Sequence, residues 1–163
     1  MRGYRCLRAV LILVSALCGG CSTVAPTPPP PPTIPAAAFA CAEPTLGPLP
    51  AWARTGFTPA DQPVRHLLSV EGHVVAVPFG WPLRDRQPEG RANKVLWVAD
   101  IDMGGPMVIE ARREADTETV RREVANGPGP STIDLPGKGC WQLDLSWPGG
   151  KDRIYLRYLG PVD

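Results

Sequence analysis

Histidine is scarce in this chain: its 163 residues hold two, His66 and His73, and no histidine follows the last cysteine, Cys140. A blue-copper centre needs two His, a Cys and usually a Met, with the Cys and one His close together late in the chain, so that chemistry is excluded. There is no G-x-S-x-G elbow, no H-E-x-x-H helix and no phosphate-binding glycine loop. Ser, His and Asp all occur, but no spacing links them into a triad. No catalytic residue, no metal site and no cofactor is therefore expected. Also lacking is a run of roughly 20 apolar residues that could cross a bilayer as a helix. Charge of one sign is lacking too. Without residues 1–20, which carry Arg2, Arg5 and Arg8 and no acid, 14 basic side chains face 16 acidic ones, a net of −2. No basic face for nucleic acid follows from that balance.

The N-terminus is distinctive. Three arginines precede nine residues, 9–17, with one hydroxyl and no charge, and then comes LCGGCS at 17–22. Cys18-Gly19-Gly20-Cys21 has the C-x-x-C spacing of redox and zinc sites, but neither a strand nor a helix pattern frames it and no second pair of ligands lies near. The basic and apolar segments read as a signal peptide. Together with the two small residues before Cys21, they resemble a bacterial lipoprotein signal, although Cys18 stands where that family usually has Leu. The resemblance implies cleavage before Cys21, a lipid on Cys21, and a membrane-anchored protein facing outside the cytoplasm.

From Pro26 to Pro35 seven of ten residues are proline. Proline lacks a backbone donor and favours polyproline II, so residues 22–40 read as a stand-off tether of roughly 60 Å at full extension. Residues 41–163 suffice for one domain. With Cys6 and Cys18 in the leader and Cys21 lipidated, Cys41 and Cys140 remain as one disulfide pair in an oxidising compartment.

Strand signals separated by Gly/Pro turns fill the domain. Residues 41–64 read as an irregular arm. Strands follow at 65–71 and 73–79, a long loop at 80–93, and a strand at 94–101 that is apolar on both parities, as a strand covered on both faces or central in its sheet would be. Residues 107–113 and 117–124 read as two edge-like strands, although the Ala, Glu and Arg content of 110–123 also suits a helix. In 140–147 Trp141, Leu143, Leu145 and Trp147 alternate with Cys140, Gln142, Asp144 and Ser146, so Cys140 points away from the core. Ile154, Leu156 and Tyr158 share one face of the last strand. Seven or eight short strands of this kind read as an all-β sandwich. His73 has the parity of Val75, Val77 and Phe79 and is expected to be packed and hydrogen-bonded. Asp100 and Asp102 flank a strand end, where two carboxylates could take Ca²⁺ but more simply form a polar turn.

The Cys-Trp strand, hairpin and last strand resemble the end of an immunoglobulin-like sandwich, with the outward Cys140 as a departure. The stretches NKVLWV (93–98), GPGPSTIDLPGKGCWQLDLSW (127–147) and DRIYLRY (152–158), with Trp52-Ala53-Arg54 in the arm, resemble a group of small actinobacterial-type lipoproteins. That resemblance implies the fold and the envelope location and carries no activity. The expected function is non-catalytic: binding or scaffolding of an envelope protein through the Trp81 loop and the charged stretch 110–123. The alternative is recognition of cell-wall glycan by Trp52 or Trp81, whose rings can stack on sugars.

Overall fold

A computed structural model describes residues 41–114 and 116–162. Cys21, the leader and the proline-rich segment lie outside the described residues. Among the described residues ten strands form, where seven or eight are expected from sequence: β1 (Thr45–Gly47), β2 (Val64–Leu68), β3 (Val74–Pro78), β4 (Leu83–Arg84), β5 (Lys94–Ala99), β6 (Met107–Arg113), β7 (Thr119–Val124), β8 (Pro130–Thr132), β9 (Gly139–Trp147) and β10 (Gly150–Leu159). The two extra short strands lie in segments whose proline content argues against regular structure: β1 in the arm and β4 in the 80–93 loop. The strands make two five-stranded sheets, ordered β1-β2-β3-β5-β8 and β4-β10-β9-β6-β7. Every ladder is antiparallel except β4 on β10.

The inward parity is the one the alternation predicts. Leu67, Val74, Ala76, Val95 and Trp97 of the first sheet pack against Ile109, Ala111, Trp141, Leu143, Leu145, Ile154, Leu156 and Tyr158 of the second. The other parity of β3 is buried as well. Val75 and Val77 form a second cluster with Leu49 and Ala53, joined by Trp52, Phe57, Val64, Leu96 and Val98. The arm is thus a third layer over the outside of the first sheet, which explains why β3 and β5 are apolar on both faces. Leu49 is only 2% exposed, and burying such a side chain contributes about 2 kcal/mol.

The charged stretch 110–123 is strand, not helix. Only β7 is an edge, because β6 lies between β7 and β9. Arg122 shares the inward parity of Val120 and Val124, and its guanidinium donates to the Asp134 carbonyl at 2.9 Å, closing the side of the sandwich. At Gly150 an added Cβ would lie 2.6 Å from the Trp147 indole, so a larger residue there would force the ring to move.

Cys41 and Cys140 are disulfide-bonded, with Cα atoms 5.6 Å apart. The bridge lies outside the core, on the outer face of β9, as the parity of Cys140 requires. Arg157, opposite Cys140 in register, donates to the Cys41 carbonyl at 3.2 Å and pairs with Glu43 at 3.5 Å. The domain therefore has two distinguishable ends. One holds Cys41, Cys140, β4 and the 80–93 segment. The other holds the β9–β10 hairpin and the β2–β3 turn.

Candidate functional site

The β2–β3 turn is bound to the second sheet by one carboxylate. Asp152 has the inward parity of Ile154, Leu156 and Tyr158, and it is buried. Ser69 Oγ donates to its Oδ2 at 2.5 Å. The Glu71 and Arg153 amides donate to Oδ1 at 3.0 and 2.6 Å, and the His73 amide to Oδ2 at 3.3 Å. The Ser69 hydroxyl also accepts the Val74 amide at 2.9 Å, while the Val70 amide donates to the Arg153 carbonyl at 2.7 Å. Burial pushes the Asp152 carboxyl up, but the serine and the three amides together outweigh it and hold it below its ordinary value.

Beside this turn, over the outer face of β9 and β10, lies a groove of about 720 Å³. Strand register builds its floor. Glu110, Asp144 and Arg153 form one row across β6, β9 and β10, and Ser146 and Lys151 lie in the next. Asp144 is the hub. It accepts from Arg153 Nε at 2.6 Å and from Gln142 Nε2 at 2.9 Å, with Arg112 at 3.9 Å. The hydrogen bond to Asp144 raises the Arg153 guanidinium above its ordinary value. Glu71, Glu110 and Lys151 also line the groove, and their side chains have no hydrogen bond or ion pair among the described residues. The groove thus offers two carboxylates and one ammonium to a ligand.

Ser69, Asp152 and His73 meet in one turn, but they are not wired as a triad. The carboxylate accepts the serine hydrogen bond directly, and the His73 ring engages Asp100 Oδ1 at 3.0 Å instead. No imidazole stands between acid and hydroxyl to accept a proton. His73 is also exposed, with its side chain 48% accessible, which corrects the expectation of a packed residue. It is the last residue of the β2–β3 turn, outside the strand in which Val75 and Val77 are buried. His66 is the buried histidine, its Nδ1 2.9 Å from the Val64 carbonyl. Asp100 is occupied by His73, and Asp102 Oδ1 accepts the Gly104 amide at 2.9 Å. Among the described residues no group of three or more metal-ligating side chains forms.

Trp52 and Trp81 do not share a groove. Trp52 packs in the arm cluster and Trp81 against the central core, on opposite faces of the first sheet. Trp81 borders a hollow of about 210 Å³ with Arg84, Gln87, Arg91 and Val162. Asn93 holds that segment in place. It accepts the Arg84 amide at 3.0 Å and Gln87 Nε2 at 2.7 Å, and donates to the Arg84 carbonyl at 2.7 Å and to Asp134 at 2.8 Å.

The chain matches no protein-family model, no curated protein and no solved structure.

The residues that organise the site, Asp152, Asp144 and Asn93, were not prominent in the sequence. For Asp152 a signal existed: an acid on the inward parity of a strand must be hydrogen-bonded or neutral. Asp144 and Asn93 carry no such signal: they occupy ordinary polar positions, and partners such as Arg153 and Asp134 lie 9 and 41 residues away.

Proposed function

We propose that this chain is a membrane-anchored extracytoplasmic lipoprotein whose β-sandwich binds a partner without catalysing a reaction. The lipid is carried by Cys21, and residues 22–40 are the tether. The observation that carries the reading is the placement of Cys41. The domain begins at a residue covalently bonded to the start of β9, and the groove opens at Asp144, four residues along that strand and roughly 13 Å away. A domain held at its Cys140 end presents the groove to the outside. We also read the sandwich as immunoglobulin-like, supported by two stacked sheets with Trp141 in the core between them.

The occupant that fits the groove best is a segment of an envelope protein carrying both charges, to pair with Glu71, Glu110 and Lys151. Cell-wall glycan is the second reading, favoured by the hollow beside Trp81; Trp52 is committed to the arm. Three measurements test these readings. Mass spectrometry of the mature protein should find a diacylated or triacylated N-terminal Cys21, and an unmodified Cys21 overturns the anchor. Crosslinking in cells from a photoreactive residue at Ser146 should trap one protein, and Glu110→Lys should abolish the product. Retention on purified wall polysaccharide that is lost in Trp81→Ala but kept in Glu110→Lys would decide for the glycan.

A further inference from the structure

We propose that the Cys140 end of the domain seats on the surface of its own membrane, through a patch of Trp81 and arginines that recognises anionic lipid headgroups. The proposal rests on the anchored reading above. β4 pairs with β10 at Tyr158 and Leu159, and Tyr158 faces Gly139 beside the disulfide. The patch and the point where the tether enters the domain therefore lie at the same end. The hollow beside Trp81 has Arg84 and Arg91 on its rim, and no described carboxylate lines it. Asp85, in the same segment, does not line the hollow, and one of its carboxylate oxygens is buried. Arg65 adds a third cation, its guanidinium 5.9 Å from the Trp81 ring centroid. Arg84 gives one nitrogen to the Gly160 carbonyl at 2.6 Å, and Arg91 Nε makes a long bond of 3.4 Å to Pro88. The rest of both planar forks is left for phosphate, the oxyanion they match best.

The apolar part of the patch is also in place. Val162 is 59% exposed beside the hollow, and Leu159 is 39% exposed next to β4. Tryptophan beside small apolar surface and arginine is the composition that settles at the headgroup level of a bilayer. Each arginine near an anionic surface contributes about a fivefold change in partitioning, so three give substantial attraction. The tether holds the domain at high local concentration over the membrane, so a weak surface affinity is enough to seat it. Seating this end leaves the groove at the other end open.

The test uses the chain from residue 21 with Cys21→Ser, so that no lipid contributes. It is sedimented with phosphatidylcholine vesicles, with and without about one third phosphatidylglycerol. Binding is expected to the anionic vesicles alone and to fall with salt. Arg91→Ala should weaken it about fivefold, Trp81→Ala should weaken it too, and Arg121→Ala on β7, which lines neither the hollow nor the groove, should leave it unchanged. Arg91 is exposed, so that variant reports on binding even if Trp81→Ala folds poorly. Absence of binding, or equal binding to neutral vesicles, overturns the proposal. Displacement by soluble glycerophosphate or by wall polysaccharide at matched charge also overturns it, because the site would then take a free anion or a glycan. Lipidation of Cys21 is measured separately, so failure of either leaves the other standing or fallen on its own result.

Discussion

The Ser69 hydroxyl donates to the Asp152 carboxylate at 2.5 Å, joining positions 83 residues apart and two different sheets. The bond sits beneath the groove, and the three backbone amides on the same carboxylate set the shape of the turn that overhangs it. Removing the acid leaves a buried hydroxyl and those amides without an acceptor. Asp152→Ala should lower stability by about 2–4 kcal/mol, measured by urea unfolding. An unchanged midpoint would remove Asp152 from its structural role.

The same carboxylate makes stability depend on acid. Its folded-state pKa lies below the unfolded value, so its contribution is complete above the ordinary carboxylate range and is lost as pH falls through the depressed value. Asp152→Asn should therefore be less stable than the parent at pH 7, with the gap narrowing below about pH 4. A gap that stays constant down to pH 2 contradicts the assignment.

The disulfide closes a loop of 99 residues, and it holds the arm that covers Val75 and Val77. The Cys41→Ser, Cys140→Ser double variant should lose about 2–5 kcal/mol. Limited proteolysis should then cut within residues 41–63 before any other site. Cleavage at the same positions and rate with and without the bridge would show that the arm is held by packing alone.

Arg122 guards an edge. It lies on the inward side of β7 and bonds to the Asp134 carbonyl across the open side of the sandwich, a placement that discourages pairing with another chain's strand. Arg122→Val should change monomer stability by less than about 1 kcal/mol but should raise self-association, seen as concentration-dependent light scattering. A variant that stays monomeric at the parent's solubility limit would rule this out.

Asn93 makes four side-chain hydrogen bonds from a site only 2% exposed. Asn93→Ala should cost about 2–4 kcal/mol and release the segment around Trp81, measurable as faster amide exchange at Arg84. If the segment reports through the patch, the same variant also weakens anionic-vesicle binding.

Much of the fold was legible in the alternation of side chains. The period-2 pattern of 140–147 placed Trp141, Leu143 and Leu145 inside and Cys140 outside, and the structure has them there. The double-sided apolarity of 94–101 called for cover on both faces or a central place in the sheet; β5 lies inside its sheet, and the arm cluster takes up Leu96 and Val98. Parity is local, so a single strand displays it. His73 shows where this stops: its parity promised burial, but it is the last residue of the β2–β3 turn, ahead of β3, and its side chain is exposed. The charged run 110–123 was ambiguous because alternation and helix propensity both fit it; pairing with β9 decides for strand.

The sequence by itself determined the layer architecture, the unused face of Cys140 and the single cysteine pair of the domain, since each follows from alternation or from counting. Only the tertiary structure decided that the groove, the Asp152 anchor and the Trp81 patch exist and at which ends of the domain they lie. Their members come from β2, β3, β4, β6, β9 and β10. Contacts between residues 9 to 83 positions apart leave no periodic trace in a single chain; they arise when two twisted sheets stack and bring strand ends together.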